Sequence, residues 1–133
     1  MFTQRLVRLS AVLAILGGGL SCGSDTQAPS LPAGDIQIVR DAATKGANAF
    51  NPPGFSVSLA AQSNVTWVNA DADQASGYVS GVTHKIISDD GTTFASGNIP
   101  PGGTFKALLT TPGTYPYHCA IHPTMTGTLT VTP

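Results

Sequence analysis

Four candidate metal donors fall in two widely separated places, and a chain that uses them at one site must fold so as to bring them together. Cys119, His122 and Met125 form a Cys-x2-His-x2-Met array within Tyr115-Pro116-Tyr117-His118-Cys119-Ala120-Ile121-His122-Pro123-Thr124-Met125, and His84 lies 35 positions before the cysteine. Two imidazoles, one thiolate and one weak thioether are the donor set of a blue copper site. Sheet geometry can meet this demand. Cys119 would end one strand, His122 and Met125 would lie on the turn before the last strand, and His84 would come from a neighbouring strand. Gly127 would let the backbone re-enter the sheet.

The rest of the chain reads as all-β. Short alternating runs rich in Thr and Val are bounded by Gly, Pro and Asp. Strands are predicted over Asp35–Arg40, Gly54–Ala60, Asn64–Asn69, Thr83–Ser88, a short one from Phe94, Thr104–Thr110, Thr114–Cys119 and Thr128–Thr132. About eight strands at this spacing predict a Greek-key β-sandwich. Ala42–Pro53 and Ala70–Gly81 carry no strand pattern, and the second reads as an exposed loop.

The beginning of the chain reads differently. Arg5 and Arg8 precede an apolar run, Leu9 to Leu20, that is too short for a spanning helix, so residues 1–21 read as a signal peptide. Gly19-Leu20-Ser21-Cys22 resembles a bacterial lipobox, which makes Cys22 the expected lipid-anchored first residue of the mature protein; a plain cleaved signal and a soluble periplasmic protein are the alternative. Residues 22–34, small and proline-broken, read as a flexible tether. Residues 35–133 form one domain, large enough to fold alone. Cys119 is expected to stay unpaired, since a bridge to Cys22 would consume the thiolate.

Beyond the signal segment, Arg40, Lys45, Lys85 and Lys106 face seven aspartates, a net charge of −3. That balance offers no basic stripe for nucleic acid and no strong field for steering a partner.

Residues 54–133 resemble a small cupredoxin of the plastocyanin, amicyanin and azurin kind. The resemblance rests on Pro112-Gly113-Thr114-Tyr115-Pro116-Tyr117-His118-Cys119 followed by His122, Met125 and Gly127, with Val65-Thr66-Trp67-Val68-Asn69 and Thr83-His84 upstream. The two-residue spacings are most similar to amicyanin. The resemblance implies a single type 1 copper ion with His84, Cys119 and His122 as equatorial ligands and Met125 as the weak axial one. It implies electron transfer in the bacterial periplasm or cell envelope by a monomer. Expected partners are redox proteins such as a c-type cytochrome or a copper or haem oxidoreductase. It also implies an apolar patch around the edge of His122, here supplied by Ala120, Ile121, Pro123, Pro100 and Pro101.

The chain departs from that pattern at three places. Ile121 stands where Pro is frequent, so its backbone N–H is free to approach the Cys119 sulfur and raise the reduction potential. Lys85 replaces the usual Asn or Thr, so a side-chain bond between that strand and the ligand loop is expected to be missing. Ala61-Gln62-Ser63-Asn64 replaces a Gly-Asp turn.

Other chemistries fit less well. Structural zinc favours more thiolates or imidazoles and no thioether. A copper enzyme needs open positions, usually at a second metal held by further histidines, and the chain has three in all. His118 neighbours Cys119, so in a strand its side chain points to the opposite face, which makes it a non-ligand. A Cys119–His122 nucleophile would lack an orienting group and leave Met125 unexplained. The expectation is therefore a non-enzyme. A copper storage or delivery module and a metal-free β-sandwich interaction domain are the alternatives.

Overall fold

Alternation in short apolar runs becomes structure here because each strand has one face to bury against a second sheet. The computed structural model describes residues 30–133. The expected signal segment, Cys22 and the expected tether as far as residue 29 lie outside the described residues. Eight strands follow in order: β1 Ile36–Ile38, β2 Phe50–Asn51, β3 Gly54–Ser58, β4 Asn64–Asn69, β5 Ile86–Ser88, β6 Thr104–Leu108, β7 Gly113–Cys119 and β8 Thr126–Thr132. They form two four-stranded sheets, ordered β2-β1-β4-β6 and β3-β8-β7-β5. Each sheet contains one parallel pair, β1 with β4 and β3 with β8.

The inward residues are those the alternation marks. Ile36, Ile38, Val65 and Trp67 enter from one sheet and Tyr117, Cys119, Leu129 and Val131 from the other, all buried. Trp67 is the centre of this layer. Its ring lies 5.3 Å from Phe94, 5.5 Å from Phe105 and 5.5 Å from Tyr117, the last edge-on at 87°. At about 25 cal/mol per Å², an aromatic side chain of this class contributes about 4–6 kcal/mol by burial.

Tertiary contacts change three of the sequence expectations. Phe94 does not open a strand: its neighbour Ala95 makes an isolated bridge to Ile87, while the Phe94 ring fills the core beside Trp67. Ala42–Pro53 does contain a strand, β2, which pairs with β1 through Ile38 and Phe50; two residues are too few to show periodicity. Thr83–Ser88 narrows to β5, because His84 pairs with Ile99 in an isolated bridge rather than in the sheet ladder.

Gly127 also has a different reason from the one expected. It sits inside β8 opposite Tyr117, and a Cβ there would collide with the Tyr117 ring and hydroxyl. The need is for close approach of a ring, not for an unusual backbone angle.

Candidate metal centre

The site is assembled at one end of the β5–β7 pair. Register places Ile86 opposite Cys119, so His84 lies just past the end of β5, level with the loop that leaves Cys119. His84 is anchored there by two backbone bonds, its N–H to the Ile99 carbonyl at 3.1 Å and the Ile99 N–H to its carbonyl at 2.7 Å. The loop 120–125 closes on itself: the Cys119 N–H donates to the Met125 carbonyl at 3.1 Å, and the Met125 N–H to the His122 carbonyl at 3.0 Å.

Three of the four expected donors converge in this frame. His84 Nδ1 lies 3.7 Å from Cys119 Sγ and His122 Nδ1 lies 3.8 Å from it. Ligand atoms of the three residues all lie within 4.8 Å of one another. Bonds of about 2.0 Å to nitrogen and about 2.3 Å to sulfur, meeting at roughly 120°, put nitrogen and sulfur about 3.7 Å apart. The donor spacing therefore fits a metal ion in a trigonal shell. Met125 closes the loop through its backbone bonds to His122 and Cys119, and its side chain is fully buried in the core cluster that also includes Cys119. His118 faces the other way, half-buried, with Nδ1 2.6 Å from Asp89 Oδ1.

The strand bearing His84 is tied to the ligand loop by backbone. The Lys85 N–H points at Cys119 Sγ across 3.5 Å, and the Ala120 N–H donates to the Lys85 carbonyl at 2.7 Å. The tie expected to be missing with Lys85 is thus made without the Lys85 side chain.

These contacts set the protonation preferences. For Cys119, burial is the largest influence and opposes ionisation, but hydrogen bonding to His84 and to the backbone N–H groups of Lys85, His122 and Ile121 together overcomes it and pulls the thiol down from about 9 to about 6. Burial also works against a charged His84, and here Cys119 and Asp71 outweigh it and hold the imidazole above its ordinary value. A thiolate is the form a metal ligand needs, so the folded chain presents the sulfur ready for binding.

Asp71 was not among the expected site residues. Its Oδ2 lies 2.9 Å from His84 Nε2, and both side chains are almost wholly shielded from solvent. Asn69 holds the backbone around it: its Oδ1 accepts from the Asp71 N–H at 2.9 Å, and its Nδ2 donates to the carbonyls of Val82 and Ile99. Ala70–Gly81 is therefore not exposed throughout, since Asp71 and Ala72 at its start are buried. The Asn69-Ala70-Asp71 sequence at the end of the Trp67 strand was the available signal. It looks like a turn because nothing local reveals the histidine 13 positions on.

A sandwich of this topology with a His-Cys-His group at one end defines a class: the chain has the cupredoxin fold, and the group formed by His84, Cys119 and His122 fits copper binding. Among solved structures it is similar to a purple cupredoxin from Nitrosopumilus maritimus, with 26% identity over 75% of this chain and 100% of that one and a TM-score of 0.60. A mutant fern plastocyanin matches with 21% identity over 73% of this chain and 98% of that one, at a TM-score of 0.53. A copper-containing nitrite reductase from Thermus scotoductus SA-01 shares the fold over 74% of this chain but only 22% of its own length, with 24% identity and a TM-score of 0.54. No protein-family model matches the chain, and neither does any curated protein.

Proposed function

We propose that this protein is a blue copper electron-transfer protein that binds one type 1 copper ion through His84, Cys119 and His122, with Met125 as the weak axial donor. The observation that carries the reading is the spacing of Sγ from two Nδ1 atoms, 3.7 and 3.8 Å, supplied by segments 35 residues apart. Bound copper would supply one-electron exchange between Cu(II) and Cu(I). His84 is fixed by its bridge to Ile99, Cys119 by the end of β7, and His122 by a loop closed between Cys119 and Met125. Donors held this way move little, which keeps the rearrangement accompanying electron transfer small.

The surface around the loop supports release as well as contact. Ile121 is 46% exposed, its loop neighbours Ala120 and Pro123 are exposed, and His122 between them is half-buried. A small apolar rim suits weak, short-lived encounters with a redox protein, such as a c-type cytochrome or a copper or haem oxidoreductase. We place these encounters in the bacterial periplasm or at the cell envelope, with Cys22 as the lipid anchor. Among the described residues no helix is long and apolar enough to cross a membrane.

The nitrite reductase shares only the fold, and we read this chain as a non-enzyme. Its three histidines are accounted for by His84, His122 and the Asp89-paired His118, leaving none for a second metal. Copper loading of the purified chain tests the reading. An intense visible band that bleaches reversibly with a mild reductant and disappears in Cys119→Ser is expected. Copper held without that band would favour storage or delivery, and no stoichiometric uptake would favour a metal-free interaction domain.

A further inference from the structure

The Asp71 carboxylate is more completely bonded than a turn residue needs to be. Oδ1 accepts the Asp41 N–H at 2.8 Å, and Oδ2 accepts the Ala42 N–H at 3.2 Å and faces His84 Nε2 at 2.9 Å. Its residue exposure is only 4%. Asp41 adopts a left-handed conformation, φ 57°, to bring those two N–H groups round. A non-glycine residue is uncommon in that conformation and persists where surrounding contacts enforce it. A buried carboxylate must be satisfied on every side, and backbone donors alone could have done that. The remaining contact goes instead to one of the three converging donors, and to the ring nitrogen remote from Cys119.

We propose that Asp71 is a positioning residue for the metal centre: it holds the His84 proton on Nε2, keeps Nδ1 turned toward Cys119 Sγ, and through its charge favours the more positive Cu(II) state. The inference rests on the copper reading above. A carboxylate has no proton to give, so the short contact to His84 is one in which Nε2 donates. With Nε2 engaged by Asp71, Nδ1 is the nitrogen left to bind a metal ion on the side of Sγ. A carboxylate behind a ligating imidazole fixes its tautomer and ring orientation and raises its basicity. Greater basicity and a nearby negative charge both stabilise the oxidised ion, so the carboxylate lowers the reduction potential. His122 has no such partner among the side-chain contacts of the described residues, so the two imidazoles are not equivalent donors.

The test compares the full chain with Asp71→Asn, a near-isosteric change that removes the charge. Expected for the variant are a reduction potential above that of the parent, a shifted visible band, and copper affinity lower by about 10–100-fold. A folded variant with unchanged potential, band and affinity would overturn the proposal, whatever its melting temperature, since a purely structural Asp71 would move only the latter. Nitrogen NMR of the His84 ring in the metal-free parent, at a pH where the ring is neutral, supplies a second readout. The proton is expected on Nε2, and finding it on Nδ1 overturns the proposal even if Asp71→Asn fails to fold. A parent chain that takes up no copper would refute the copper reading, while the ring measurement would still decide the role of Asp71.

Discussion

The backbone N–H of Lys85 is aimed at the Sγ of Cys119 across 3.5 Å, while the carbonyl of the same residue receives the Ala120 N–H at 2.7 Å. One peptide segment thus both stabilises the thiolate and locks its strand to the ligand loop. An N–H directed at a thiolate disperses its charge and weakens its donation to a metal, which favours the lower oxidation state.

Replacing Lys85 by proline would delete that donor without touching a sheet ladder bond. The copper-loaded variant is expected to have a lower potential than the parent; each tenfold change in relative Cu(I) preference reads as about 59 mV. Ile121→Pro is expected to act in the same direction but less, because the Ile121 N–H weighs less on the thiol than that of Lys85. Cyclic voltammetry ranks the two. A larger effect from Ile121→Pro would show that the loop, and not the β5 edge, controls the sulfur.

Gly127→Ala tests the contact between β8 and Tyr117. The added methyl would overlap the ring and its hydroxyl, and overpacking of this kind costs about 1–3 kcal/mol. Urea unfolding should show that loss in the single variant. Combining it with Tyr117→Leu should recover part of it, because the smaller side chain vacates the space. Strict additivity of the two losses would contradict direct contact.

Tyr117→Phe addresses a buried polar pair. The Tyr117 hydroxyl and Trp67 Nε1 lie in the core near one another but neither meets hydrogen-bond geometry. Burial pushes the Tyr117 phenol up to about 12, with the nearby Trp67 indole pulling slightly the other way. Removing an unsatisfied hydroxyl should leave stability within about 1 kcal/mol of the parent, or raise it. A loss well beyond that on thermal unfolding would mean that the hydroxyl has a partner.

Asp90 governs the response to acid at the other end of β5. Hydrogen bonds from the Thr93 hydroxyl and N–H, then from the Ser88 hydroxyl and the Thr92 N–H, hold its carboxyl well below the usual carboxylate range. The folded value lies below the unfolded one, so the unfolded chain binds the proton more readily. The stabilisation is complete above the usual carboxylate range and fades as pH falls through the lowered value. Asp90→Asn should therefore flatten the decline of stability in acid, and carboxyl NMR should show Asp90 titrating well below the usual carboxylate range. Titration within the usual carboxylate range would show that the turn does not hold the carboxylate.

The sequence alone determined the strand faces, the ligand loop and the separation of His84 from it. Period-two alternation in Ile36–Ile38, Val65–Trp67 and Leu129–Val131 is a local consequence of burying one face, and the Cys119–His122–Met125 spacing is local as well. Tertiary structure alone decided that Asp71 stands behind His84, that Lys85 reaches the sulfur by its backbone, that Phe94 joins the core instead of a strand, and that Gly127 exists for a ring on β7. Each of these depends on a partner elsewhere in the chain, and all four are hydrogen bonds or ring contacts that leave no periodic mark. Periodicity records which way a side chain faces; only the packed sandwich fixes what it meets there.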